Sequence, residues 1–461
     1  MRCLARELSS RGSRLRSQET HGFGRAQNLL DASSFPRTMA RAMHKYDTII
    51  RGGHVIDPAN GLDSVLDIGL RDGRVSAIEP SIEPELADTT YDASGKIVTA
   101  GLVDLHIHGY HLVSPLSVPV DHYCLGRGVT TAVDAGSAGC GTFAGFRAFA
   151  IDRVKTRLLA FLNISCSGLA FGGLGGDDSV PGELDLLKLA SVRGCVDCVE
   201  QNRDALVGVK VRLSASITDE GRNEAEAYRR ALEASHALRL PLMVHHTLST
   251  VSLDDCPGRM QAGDVYTHSY HGFTSSIVDP AMRKLHRAVI EARERGVFFD
   301  IGHGQGSFNW TVAEICSREG FWPDTISTDI HSGTCEGPAY DMPTVMTRLL
   351  HLGMALNEVI VRSTIEPAKC IGWEDRIGTL GLGREADIAA FSVQDVDMVL
   401  EDCQSQLRRI KRRLVPKAVW RAGVAHPITQ PKRFPNPETI QAQRVWWQQL
   451  QIRDELLSVG L

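Results

Sequence analysis

The stretch that decides the fold runs from Ile97 to His108, IVTAGLVDLHIH. It is a largely apolar run, the composition of a strand buried on both faces, and it ends on two histidines two residues apart. Residues i and i+2 of a strand point to the same face, so His106 and His108 present two imidazoles together. Such a pair suits zinc or another borderline metal. The competing reading is a pair of core histidines satisfied by hydrogen bonds.

Seven further runs of this kind follow: VTTAVDAG (129–136), LLAFLNIS (158–165), LVGVKVRL (206–213), LPLMVHH (240–246), DVYTHSY (264–270), VFFDIGH (297–303) and TISTDIH (325–331). Intervening stretches such as GRNEAEAYRRALEASHALR (221–239) and DPAMRKLHRAVIEARERG (279–296) carry helical periodicity and charged faces. Alternation of strand and helix over about 250 residues predicts an α/β fold of the (β/α)8 TIM barrel type. A doubly wound open sheet would place a glycine-rich phosphate loop after its first strand, and DLHIHGYHLVSP (104–115) is not one.

Outside the barrel the pattern changes. YDTIIRGGHVIDPANG (46–61), VLDIGLRDGRVSAIEP (65–80) and TYDASGKIV (90–98) alternate apolar residues between tight turns, the signature of β-hairpins. GTLGLGREADIAAFSV (378–393) and PKAVWRAGVAHPI (416–428) have the same character. The expectation is a small β-sandwich built from both ends of the chain, with segments at 45–98 and 376–430 flanking a barrel at 99–375. Residues 1–44 read as a disordered or leader extension, more in keeping with an upstream extension of the reading frame that starts properly at Met39 or Met43 than with a transit peptide, and 431–461 as a helical tail. In that tail Trp446 and Trp447 pack on the barrel or on a neighbouring subunit, which would make the protein a homo-oligomer.

Composition narrows the partners. The leader holds eight arginines against Glu7, Glu19 and Asp31, so the remainder of a chain of net charge −5 is mildly acidic. That argues against a nucleic-acid partner. No run of about 18 apolar residues suggests a membrane span. Eleven scattered cysteines without a secretion signal read as free thiols in a reducing compartment. Cys195 and Cys198 form a C-x-x-C in a helical stretch, where two helix-packing cysteines are the expectation. The protein is expected in the cytoplasm, or in mitochondria if residues 1–44 are a transit peptide.

Of 17 histidines, His106, His108, His245, His246, His268, His303 and His331 stand where a strand runs out. In a parallel barrel those ends share one rim, the face where active sites form. Lys210 lies inside LVGVKVRL. An ammonium facing the barrel interior is costly unless paired or discharged; as a carbamate formed with carbon dioxide it would offer two anionic oxygens able to bridge metals. The other reading turns Lys210 outward or pairs it with an acid. Adjacent residues of a strand face opposite sides, so one of His245 and His246 is expected at the metal, with His245 preferred; His268 is preferred over His271. Asp329, in ISTDIH, can orient a metal-held nucleophile and carry its proton to the leaving group, or else cap the segment that follows.

With these residues in view, the chain resembles the amidohydrolase superfamily over roughly residues 46–428. GLVDLHIH, the fourth-strand lysine, the two single histidines, STDIH and GTLGLGREADIAAF carry the resemblance. It looks closest to the amidohydrolase/deacetylase group often labelled dihydroorotase-like, to which DPANG, LAFLNISCSGLA, DVYTHSYHG and FDIGHGQGSFNW are similar. The resemblance implies a TIM-barrel, metal-dependent hydrolase with two zinc ions. His106 and His108 would hold the first metal, carboxylated Lys210 the bridge, His245 and His268 the second metal, and Asp329 the remaining ligand and catalytic proton shuttle. A hydroxide between the metals would attack the substrate carbonyl. Tyr110, Tyr270, His271, His303 and Asn309 would line the pocket for a small-molecule acylated acid or amide. Dihydroorotases usually follow the H-x-H with an arginine that holds the substrate carboxylate, but here Gly109 and Tyr110 follow, leaving Arg127 or Arg212 for that role. The implied reaction is therefore deacetylation of an N-acyl amino acid or an O-acyl 2-hydroxy acid. The alternative is ring opening of a cyclic amide, as in dihydroorotases and hydantoinases.

Overall fold

The computed structural model describes residues 44–171, 181–438, 440–442 and 444–445. The leader expectation thus lies outside the described residues except for His44, and so does the Trp446–Trp447 pair of the tail.

The run IVTAGLVDLHIH is two strands, not one: β5 (Ile97–Ala100) and β6 (Leu102–Ile107), which belong to different sheets. Gly101 is the joint. A Cβ placed there would lie 2.1 Å from Thr130 Oγ1, so only a residue without a side chain lets the chain pass this close to its neighbour.

β6 opens a seven-stranded parallel sheet with β7 (Val129–Gly139), β8 (Arg157–Asn163), β9 (Leu206–Leu213), β10 (Leu242–His246), β11 (Val265–Thr267) and β14 (Phe298–Phe299). Its spatial order follows the chain without reversal, unlike a doubly wound sheet, which has a switch point. The segment read as an eighth strand is irregular. It makes single parallel bridges from Thr325 to Asp300 and from Ile330 to Ile107, so it touches both edges of the sheet. Asp329 within it has φ +45°, which breaks the extended conformation and explains why no continuous strand forms. The architecture is a TIM-like barrel accompanied by a second sheet.

That second sheet is mixed and has eight strands, in the order β17 (Val424–His426), β16 (Leu407–Arg421), β15 (Ile388–Glu401), β5, β1 (Tyr46–Asp57), β2 (Leu62–Arg71) and β3 (Arg74–Glu79), with β4 (Ala87–Asp92) on β1. The two stretches read as halves of a sandwich are hydrogen-bonded as one sheet through antiparallel pairing of β5 with β15. Val55, Ile68, Val98, Ile388 and Trp420 share one of its cores, so both ends of the chain contribute to it. Arg157 at the start of β8 pairs with Asp387 at 2.7 Å and with Glu385, fastening the barrel to this sheet.

Helices of eight residues or more are α1 (Val192–Gln201), α2 (Glu224–Leu238), α3 (Arg287–Glu294), α4 (Trp310–Arg318) and α5 (Met342–His351) among the described residues. α3 is shorter than its periodicity suggests, because the stretch before it forms a small hairpin, β12 (Val278–Asp279) with β13 (Lys284–Leu285). Cys195 and Cys198 lie on α1 as expected, with Cys195 wholly inside the core. No described helix is long and apolar enough to cross a membrane.

Because Gly101 has no room for a side chain, Gly101→Val should cost about 1–3 kcal/mol, as overpacked sites do. The loss would be read as a lowered thermal midpoint. A midpoint equal to wild type would mean that the crossing of β5 into β6 tolerates bulk.

Candidate metal centre

The C-terminal ends of the parallel strands gather the polar side chains that the sequence singled out. His106 on β6 and His108 just past its end project toward Asp329, whose Oδ1 lies 3.4 Å from His106 Nε2 and 3.2 Å from His108 Nε2. One potential ligand atom from each of these three buried residues lies within 4.8 Å of the others.

Hydrogen bonds set which imidazole nitrogen faces inward. The Thr267 hydroxyl donates to Asp300 Oδ2 at 2.7 Å, so toward His106 Nδ1, 2.9 Å away, it must accept. His106 therefore carries its proton on Nδ1 and turns the lone pair of Nε2 toward Asp329. His268 donates from Nδ1 to the Gly302 carbonyl at 2.6 Å, which likewise frees its Nε2. His108 Nδ1 rests on Ser137 Oγ at 2.9 Å. Burial holds His106, His245 and His268 well below the usual imidazole range and brings His108 down to about 3, so all four are neutral, the form that binds a metal.

The rings of His106 and His268 lie 4.9 Å apart, and those of His268 and His245 4.3 Å apart, which extends the cluster across β11 and β10. Lys210 sits on β9, next to β10 in the sheet, and is wholly buried. Its stem packs against Gly136, where a Cβ would fall 2.8 Å from Lys210 Cγ. Burial pulls its ammonium down to about 7, against the opposing pull of Asp329, so the outward-facing reading does not hold. Burial also raises Asp329 to about 6, with His331 and Lys210 pulling it back.

Among the described residues, Lys210 Nζ, His268 Nε2 and Asp329 Oδ1 are buried atoms of this cluster without a hydrogen-bond partner. An interior polar group without a partner costs about 1–3 kcal/mol. His268 and Asp329 additionally sit in left-handed backbone, at φ +65° and +45°, where a non-glycine residue is strained. A divalent cation would satisfy these atoms, and neutral imidazoles with a carboxylate are the donors zinc takes. The residues fit a metal.

The amidohydrolase family profile matches residues 309–425. A curated deacetylase of Agrobacterium fabrum (strain C58) is 33% identical over 75% of this chain and 83% of its own length. The chain belongs to the amidohydrolase superfamily. Among solved structures it is similar to an adenine deaminase (29% identity, TM-score 0.75) and to a dihydroorotase (30% identity, TM-score 0.74), in each case over 83% of this chain and all of the other. The protein is thus a metal-dependent amidohydrolase.

Other expected residues of this amidohydrolase fall in several places. His246 uses both nitrogens, on Tyr266 Oη at 3.0 Å and on the Val251 carbonyl at 2.9 Å, so of the adjacent pair it is His245 that turns to the cluster. His271 is buried and accepts from the Phe273 amide through Nδ1. Tyr110, just past the H-x-H, rests on Phe146 and donates to the Thr142 carbonyl at 3.3 Å. His303 stacks on Phe308 beside the Cys403 thiol. Tyr270 is not brought to the cluster: its hydroxyl donates to the Phe321 carbonyl at 2.6 Å in the core. Asn309 caps α4 by accepting from the Val312 amide at 2.9 Å. Arg127 donates to the Tyr340 carbonyl at 2.5 Å and lies 3.7 Å from Asp341, committed to that framework.

The supporting carboxylates were not foreseen. Asp300 accepts from the hydroxyls of Thr267, Thr325 and Ser327. Asp104 holds the amide and hydroxyl of Thr328, the residue before Asp329. Asp134 takes the amides of Gly109 and Ser137 at 2.7 Å each. One signal was present for all three, a lone acid inside an apolar strand run, where an unpaired charge would not be kept.

Thr267→Val removes the acceptor that orients His106 while keeping the shape of the side chain. Loss of such an outer partner typically weakens metal binding about 10- to 100-fold, which competition with a chelator would measure. Unchanged affinity would show that packing alone orients His106.

Proposed function

We propose that this amidohydrolase is a binuclear deacetylase that removes a small acyl group from an N-acyl amino acid or an O-acyl 2-hydroxy acid. What supports the reading is the gathering of His106, His108 and Asp329, with the rings of His268 and His245 beside them and unsatisfied atoms on Lys210, His268 and Asp329. The 33% identical deacetylase relative supports the choice of reaction. In the same reading, the Thr325–Ile330 segment is the eighth strand of a (β/α)8 barrel spanning 99–375, and 45–98 with 376–430 form the small companion domain.

His106 and His108 would hold one zinc ion and His245 and His268 another, with Asp329 the remaining ligand. Lys210, as a carbamate formed by its neutral amine and carbon dioxide with loss of a proton, would be a further anionic ligand of the centre. Bound metal supplies Lewis acidity to the acyl carbonyl and an activated water at neutral pH. Asp329 takes the proton of that water at Oδ1 and delivers it to the departing nitrogen or oxygen. The hydroxyls of Thr267 and Ser137 keep His106 and His108 turned inward. Burial of the cluster keeps bulk water from competing for these groups. The competing reading, ring opening of a cyclic amide, rests on likeness to the solved dihydroorotase.

Protein purified without chelators should hold about two metals per chain, as two-metal hydrolases do, and Lys210→Ala should lose most of this by elemental mass spectrometry. About one metal in both proteins would make Lys210 structural and the centre mononuclear. Asp329→Asn should lower kcat for acetate release by about 10²- to 10⁴-fold, the range for general acid–base groups. Turnover of dihydroorotate or a hydantoin, with none of any N-acetyl or O-acetyl acid, would replace deacetylation by ring opening.

A further inference from the structure

The strand that carries Lys210 carries a second buried cation. Arg212 lies two residues on, so both side chains leave β9 on the same face, with Arg212 nearer the strand's C-terminal end. In the sheet register Arg212 stands directly beside His245 on β10. Its side chain is 10% exposed, which puts the guanidinium at the edge of the centre and not in solvent. The groups that feel its charge are His108, Lys210, His245, His268, Asp329 and His331, the cluster itself.

Its anionic partner is Glu183, buried, with Oε1 3.2 Å from Nη1. Glu183 engages one end of the guanidinium. Arginine has five N–H donors in a planar fork matched to the two oxygens of a carboxylate, and among the described residues no other hydrogen-bond acceptor takes the remaining edge of Arg212. A buried arginine held by one carboxylate and facing a hydrolytic centre is a receptor for an anionic group on the substrate. Arg127, the other arginine considered for this role, is tied to Tyr340 and Asp341.

We propose that Arg212, positioned by Glu183, binds the carboxylate of the substrate and makes this site selective for acyl derivatives of acids over those of neutral amines or alcohols. The inference rests on the deacetylase reading for the reaction, but the binding of an acid does not depend on turnover. Bidentate pairing with a planar carboxylate would also fix the acid's orientation, and so the distance of its acyl group from the cluster.

The test compares wild type, Arg212→Met and Arg212→Lys on N-acetylglycine and its neutral analogue N-acetylglycinamide. Alongside, binding of glycolate, a 2-hydroxy acid without an acyl group, is measured by calorimetry at pH 7. Wild type should prefer the acid. Arg212→Met should lower kcat/KM for the acid about 10- to 100-fold, as loss of a charged hydrogen bond does, with a far smaller loss for the amide, so that the preference collapses. It should also abolish glycolate binding at equal metal content. Arg212→Lys, which keeps the charge without the fork, should recover part of both. Equal losses for acid and amide, or glycolate binding that survives Arg212→Met, would overturn the proposal. If wild type turns over neither substrate, the deacetylase reading fails, and glycolate binding alone still decides for or against Arg212.

Discussion

Lys210 Nζ is a buried nitrogen without a hydrogen-bond partner among the described residues, and much of the centre is organised around it. A framework that holds an amine, an imidazole nitrogen and a carboxylate oxygen in its interior would forgo several kcal/mol unless a bound cation satisfied them. It persists because the strands hold these atoms there: parallel pairing puts Asn163, Lys210 and Met243 in one row across β8, β9 and β10. Asn163 in turn donates to the carbonyl of Gly136, the residue against which the Lys210 stem packs. The same sheet that forms the core therefore fixes His106, Lys210 and His245, while His108 and His268 stand one residue past their strands and Asp329 lies in the irregular segment.

Around the cluster, hydroxyls and carboxylates alternate. Asp300 polarises Thr267, Thr267 receives from His106, and Asp104 pins Thr328 beside Asp329. These acids are themselves buried, and burial raises Asp104 to about 7 and pushes Asp300 and Asp134 upward. Each keeps several donors, so the cost of burial is partly offset. Removing one would leave its hydroxyl and amide donors unpaired, which ties the stability of the barrel to the geometry of its site.

Much of the arrangement was legible in the sequence because histidine is rare and buried strands are apolar. His106, His108, His245 and His268 stood out at the ends of such runs, and Lys210 as a cation inside one. What was not legible follows equally physical lines. The apolar run from Ile97 to His108 is continuous, so nothing in its hydropathy shows that it leaves one sheet for another at Gly101; only the crowding by Thr130 explains it. The eighth run reads as a strand, yet Asp329 takes a left-handed conformation. Position near a strand end says nothing of where a side chain points, which is why Tyr270 and Asn309 turned out to hold Phe321 and α4. Pairing between Arg212 and Glu183 joins segments separated in sequence and leaves no local pattern.

The mixed sheet has an implication for how the chain is made. β5 is complete by residue 100, but its partner on one side, β15, begins only at Ile388. During synthesis that edge must wait for the whole barrel to emerge, with its backbone donors and acceptors open to any passing strand. An unpaired edge of this kind is a hazard for association between nascent chains. Long-range pairing is also closed late because its loop entropy must be met first. The pairing of β5 with β15 can therefore close only after the residues of the barrel have been synthesised.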